Sequence, residues 1–138
     1  MEIKRDRASN KFWLSQQKYV EGIQTTFNIK DCKPVKVPIP IGTKLSLDQC
    51  PKLEQEIEYM TYVPYASAVG CLIYAMVCTR PYIAHAVGVL RKYMTTLGKE
   101  HWIAIKRVFR YLRGTIDFVI CYHGNFEDVG VHGFIDSD

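Results

Sequence analysis

The apolar positions of this chain change their period several times, and each change predicts an element. In EIKRDRASNKFWLS, Ile3 on one side and Phe12, Trp13 and Leu14 on the other flank the polar turn Ala8-Ser9-Asn10, the pattern of a β-hairpin. Ser15 is a candidate helix cap. Beyond it, Tyr19, Ile23 and Phe27 recur every fourth residue and predict a helix with one apolar face, ending near Phe27. The period then fails over 28–63. Pro34, Pro38, Pro40 and Pro51 break any regular pattern, and VKVPIPIGTKL reads as extended chain. Unstructured connections of this length are uncommon unless they have a job. A short acidic helix over 53–60 is expected to interrupt it, and the main internal boundary is expected here.

Helical period returns with VPYASAVGCLIYAMVC, which predicts a buried helix. Pro64 suits its first turn, and Ala66, Gly70 and Ala75 are small enough for a neighbouring backbone to come close. Thr79 is placed to cap a following helix that Pro81 opens, with Ile83, Val87, Leu90 and Met94 along one face. Gly98 ends the next connection. A last helix is expected over 99–113, with Gly114 as its stop. The tail switches to short strands, FVICY and VHGFID, joined by the loop HGNFEDVG. The strands at both extremes predict a chain that continues in each direction.

The last helix carries the most charge. At about 100° per residue, Trp102, Ile105, Val108, Phe109 and Leu112 fall in one half. Lys99, Lys106, Arg107, Arg110 and Arg113 fall in the other, with Ile103 among them and Glu100 at the edge. Two readings follow. Such an arc is the solvated face of any amphipathic helix, and arginine near a C-terminus suits the helix dipole. It is equally a set of phosphate contacts, which give affinity without sequence preference through counterion release.

Composition bounds these readings. With 138 residues, 48% apolar and 23% charged, the chain is long enough for one moderate core or two small lobes. The net charge of +4 permits a polyanion partner without requiring one. The cysteines, Cys32, Cys50, Cys71, Cys78 and Cys121, are odd in number and form no CxxC pair. They read as reduced thiols of a cytoplasmic or nuclear protein. His85, His101, His123 and His132 are too scattered among them for a zinc site, and packing is the expected role of His101. MEIKRDR lacks the apolar core of a signal peptide, and the longest apolar run, 68–78, is too short for a membrane span. Walker, GxSxG and paired-histidine motifs are absent. Asp136 and Asp138 close the chain as IDSD; on a strand both would share a face, but magnesium sites need further carboxylates. The residues alone therefore predict a mainly helical α+β chain with strands at both ends and one basic helix able to meet nucleic acid.

Four blocks in order, PYASAVGCLIYAMVCTRP, IAHAVGVL, HWIAIKRVFRYLRGT and GFIDSD, resemble the reverse transcriptase of copia-type retrotransposon polyproteins. The opening LSQQKYVEGIQTTFNIKDCKPVKVPIP resembles it too, so the resemblance spans essentially the whole chain. It implies that 1–28 is the end of a palm hairpin and the first thumb helix. Residues 29–63 would be a proline-rich connection, 64–115 a helical thumb and connection region, and 116–138 the truncated start of a ribonuclease H-like sheet. It further implies an RNA–DNA or DNA duplex as partner, for which the basic arc of Lys99, Lys106, Arg107, Arg110 and Arg113 is the candidate contact. Asp136 would be the first ribonuclease H carboxylate, binding magnesium only in the complete enzyme. The fragment itself would hold no cofactor. The palm's YxDD-type carboxylates are missing and the remaining ribonuclease H carboxylates would follow residue 138, so no activity is expected from the chain alone. Its partners would be the rest of the polyprotein, with self-association through open strands and no membrane. The alternatives are a non-enzymatic nucleic-acid-binding module and a structural or interaction domain. Two positions depart from the family pattern. Tyr82 stands where aspartate usually follows Arg80-Pro81, and Ile135 where threonine usually precedes the catalytic aspartate.

Overall fold

A computed structural model describes residues 1–124 of the chain. The strand expected over 131–136, and with it Asp136 and Asp138, lies outside the described residues. Strands β1 (Glu2–Asp6) and β2 (Lys11–Ser15) form the expected hairpin, with Ile3 opposite Leu14 and Arg5 opposite Phe12. The Asp6 carboxylate closes its turn by accepting from the Ala8 and Ser9 amides and the Ser9 hydroxyl. Asn10 takes the left-handed conformation that asparagine tolerates better than most residues (φ 51°).

Five helices are described: α1 (Gln17–Thr26), α2 (Glu54–Thr61), α3 (Tyr65–Cys78), α4 (Ala84–Arg91) and α5 (Lys99–Gly114). Helix α1 ends as the spacing predicts, and its stop is Asn28 in the left-handed region (φ 53°). The Asn28 and Ile29 amides donate back to the Thr25 and Gln24 carbonyls, a Schellman closure. Its cap position is Gln16 rather than Ser15, whose hydroxyl only accepts from the Gln17 amide at 3.3 Å. Gln16 is buried and accepts from the Thr79 hydroxyl, joining the start of α1 to the end of α3. Thr79 therefore does not cap the next helix; a 3₁₀ turn, Pro81–Ile83, leads into α4 instead.

The core is the meeting of four helices. Val20 and Ile23 of α1, Leu72 of α3, Val87 and Leu90 of α4, and Ile105, Val108, Phe109 and Leu112 of α5 are all essentially excluded from solvent. The Tyr65 hydroxyl donates to the Leu90 carbonyl at 2.8 Å and fixes α3 against α4. Three expectations are corrected here. Helix α3 is buried on one face only, because α4 and α5 cover one side; Ile73, Tyr74 and Val77 are exposed, as are Ala66 and Gly70. Met94 lies past the end of α4 and is exposed, so it leaves the apolar face that Ile83, Val87 and Leu90 keep. Gly114 belongs to the last turn of α5, which stops at Thr115.

Strand β3 (Ile120–His123) starts two residues later than the sequence pattern places it and pairs antiparallel with β2. The two ends of the described chain therefore share one sheet, ordered β1-β2-β3. Phe12 and Tyr122, opposite each other, stack with ring centres 4.7 Å apart and help set that register. The α+β class holds, with five helices and a small antiparallel sheet among the described residues.

Candidate nucleic-acid interface

Helix α5 presents its faces as the 100° rotation predicts. Ile105, Val108, Phe109 and Leu112 are buried, Trp102 is half-buried, and Ile103 is about half exposed among the basic side chains. The N-terminal end of α5 is built by its own residues. His101 is buried, and its Nδ1 accepts from the Gly98 amide at 2.8 Å, while its ring stacks on Tyr93 at 4.1 Å. Burial holds this imidazole below its ordinary pKa of 6.5, against a smaller opposing pull from the Ser46 backbone and the charge of Glu100. A side chain at Gly98 would collide with the Gln49 carbonyl oxygen, so this position keeps the connection close to the helix start.

The basic face turns out to hold the proline-rich connection. Arg113 Nη1 donates to the Cys32 carbonyl at 2.6 Å and Arg110 Nε to the Lys33 carbonyl at 2.7 Å, at the C-terminal end of the helix. Near its N-terminal end, Tyr93 donates to the Leu45 carbonyl at 2.6 Å, and Lys99 pairs with Glu56 of α2 at 3.3 Å. Residues 32–56 thus run along α5 against its own direction. The physical reason lies in the prolines. A Pro-rich segment makes few backbone ladders, so its carbonyls need side-chain donors.

Of the five basic residues singled out in the sequence, three are engaged within the chain: Lys99, Arg110 and Arg113. Lys106 and Arg107 make no ion pair among the described residues, and the Arg107 Nε is buried without an acceptor among them. These two and Arg110 border a depression of about 250 Å³ over Ile29, Cys32 and Ile103, with no carboxylate in its lining. It adjoins a larger groove of about 590 Å³ between α2 and α5, where Lys106 and Lys99 flank Leu53, Tyr59, Trp102 and Ile103. The structure therefore gathers Lys106, Arg107 and Arg110 at one place and directs Lys99 and Arg113 to internal bonds. Asp136 is not among the described residues. Among them, no three His, Cys, Asp or Glu side chains cluster so as to hold a metal ion, and no single helix is long and apolar enough to cross a membrane.

Nothing in the sequence singles out Arg80 beyond its place after an apolar run, yet it is fully buried. Its Nη1 donates to the Tyr82 hydroxyl at 2.7 Å and its Nη2 to the Ile116 carbonyl at 3.2 Å. An Arg-Pro pair directly after an apolar helix is the only available signal, and it does not reveal burial.

No family model and no solved structure matches the chain. Known sequences do. The chain is 50% identical over all 138 residues to a retrovirus-related Pol polyprotein from transposon TNT 1-94 of Nicotiana tabacum. It is 35% identical, over 99% of its length, to the Pol polyprotein from transposon RE2 of Arabidopsis thaliana. It is also 33% identical, over 91% of its length, to an uncharacterized mitochondrial protein of the same plant, of which it spans 49%. It spans 10% and 9% of the two Pol polyproteins. Over its full length, this chain is homologous to a short stretch of the copia-type retrotransposon Pol polyproteins.

Proposed function

We propose that this chain is a part of a retrotransposon RNA-directed DNA polymerase that helps grip the primer–template duplex and catalyses nothing alone. The observation that carries the reading is the 50% identity to a Pol polyprotein across the entire chain. The sequence blocks around Pro64, His101 and Asp136 resemble the thumb and the entry to ribonuclease H, which is where a polymerase meets the duplex behind its active site. The cluster of Lys106, Arg107 and Arg110 supplies cations with no carboxylate lining their depression. Inactivity rests on the sequence itself. It contains no adjacent aspartate pair, and a magnesium site at Asp136 would need further carboxylates from other parts of the polyprotein. Magnesium would enter only where other parts of the polyprotein complete that set. The remaining polymerase and ribonuclease H portions are the partners, inside the cell in cytoplasm or nucleus.

The test is fluorescence anisotropy of a labelled RNA–DNA hybrid against the 138-residue chain at several salt concentrations. Binding should weaken as salt rises. The double variant Lys106→Ala/Arg107→Ala should lose affinity and reduce the slope of log K against log salt by about 2, one unit per phosphate contact. Arg110 and Arg113 are unsuitable for this test because both secure the connection. Salt-independent binding, or an unchanged slope in the double variant, would remove the duplex role. Magnesium-dependent primer extension or hybrid cleavage by the chain would remove the claim of inactivity.

A further inference from the structure

Phosphate contact calls only for cations on an open surface, and the groove between α2 and α5 offers more than that. Its volume is about 590 Å³. Leu53 and Tyr59 line it from the α2 side and Trp102 and Ile103 from α5, with Lys99 and Lys106 beside them. Leu53 is 66% exposed, Tyr59 58% and Ile103 51%. Single exposed apolar side chains are ordinary, but several gathered in one concavity mark a contact site. Trp102 is half-buried, and an edge-on contact with Phe27, ring centres 6.2 Å apart, sets the plane of its ring.

The charge of the groove is uneven. Glu56, also in its lining, pairs with Lys99 at 3.3 Å, so that end is close to neutral. The other end is positive. Ile103 and Lys106 line both this groove and the depression of about 250 Å³ beside it, where Arg107 and Arg110 also lie. One continuous track therefore leads from an aromatic site to three cations. Aromatic faces followed by cations suit a nucleotide strand, whose bases stack on rings while its phosphates run along the positive charge. A duplex cannot use the aromatic part, because its bases are paired and stacked inside it; an unpaired strand can turn them outward.

We propose that the α2–α5 groove binds an unpaired stretch of DNA or RNA where it leaves a duplex. A base stacks on Tyr59 and Trp102, and the neighbouring phosphates lie on Lys106 and Arg107. Arg110 adds charge from its place on the Lys33 carbonyl. An acidic peptide would use the same cations but has no need of two aromatic rings. The inference rests on the nucleic-acid reading above for its class of ligand, and not on the grip of the duplex.

Fluorescence anisotropy compares three labelled RNA–DNA hybrids on the full chain: blunt, tailed with about eight deoxythymidines, and tailed with the same number of abasic sugars. The thymidine tail should tighten binding roughly tenfold over the blunt hybrid and the abasic tail far less, since a stacked base contributes about 5- to 100-fold. Tyr59 is largely exposed, so its replacement leaves the core intact. Tyr59→Ala should remove the thymidine gain and leave the blunt affinity as it was, and Tyr59→Phe should keep the gain. In Trp13→Phe, which leaves Trp102 as the sole tryptophan, the thymidine tail should quench the fluorescence and the abasic tail should not. No gain from the thymidine tail, an equal gain from the abasic tail, or a gain that survives Tyr59→Ala would each overturn the groove, while blunt binding would still support the duplex reading. Tyr59-dependent binding of free oligothymidine without blunt binding would instead uphold the groove and remove the duplex reading. Binding of a glutamate-rich peptide that Tyr59→Ala abolishes, with no thymidine gain, would assign the groove to a protein and overturn the proposal.

Discussion

At the scale of single residues, burial decides which side chains matter, and the sequence exposes burial unevenly. His101 could be assigned a packing role because it precedes Trp102 at a helix start, and the structure places it in the interior with its Nδ1 accepting from the Gly98 amide. Arg80 could not be read the same way, since an arginine after an apolar helix is ordinarily solvated. His101 carries a pH prediction. Its folded pKa is depressed below 6.5, chiefly by burial, so the unfolded chain binds the proton more readily. Stability must then rise with pH through the window below 6.5 and level off above it. Protonation would also remove the lone pair that accepts from Gly98. Urea midpoints measured between about pH 5 and 7, above the range where carboxylates dominate, should show this slope. His101→Gln, which keeps an acceptor without a titrating ring, should flatten it. An equal slope in that variant would assign the effect to another group.

At the scale of elements, the helical periods were legible and the partners of the polar residues were not. The rotation of α5 separated its buried from its exposed positions correctly, down to the exposure of Ile103. It offered two uses for the basic arc, solvent and phosphate. The structure adds a third that no periodicity contains: Arg110 and Arg113 bind carbonyls 77 and 81 positions earlier in the chain. Backbone acceptors have no sequence signature, which is why this use stayed hidden. Its consequence is testable by limited proteolysis. Arg110→Ala/Arg113→Ala should leave helix content unchanged and make the chain cleavable within 33–45 several-fold faster, because two hydrogen bonds from charged donors anchor that stretch, each worth about 1.5–3 kcal/mol. Lys106→Ala should leave the cleavage rate as it was. Faster cleavage in Lys106→Ala as well would mean that charge density, and not the two anchoring bonds, protects the connection.

At the scale of the whole molecule, strands from the two ends of the described chain meet in one sheet. The sequence indicated strands in both places but could not indicate their pairing, because contacts between distant segments depend on how the helices between them fold back. The helices do this through Gln16 and Thr79 at one junction and Arg80 and Ile116 at another, both close to the sheet. The sheet itself is thinly covered. Every residue of β1 is exposed, and so are Phe12 and Tyr122 in the strands beside it. Among the described residues no strand position is fully buried, and only a few such as Trp13, Leu14 and Ile120 are half-buried, so the sheet draws much of its stability from hydrogen bonds and cross-strand pairs, which contribute little individually. The core helices have the opposite character, with Leu72, Leu90, Ile105, Phe109 and Leu112 at zero exposure. Native-state hydrogen exchange should therefore divide the chain. Amides of β1 bonded to β2 should exchange roughly 100-fold or more faster than those at the centre of α5, reporting an opening of the sheet that leaves the helices folded. Exchange of both sets at one common rate would instead make the sheet part of a single cooperative unit, and the junctions at Gln16 and Arg80 would have to carry far more coupling than their few hydrogen bonds provide.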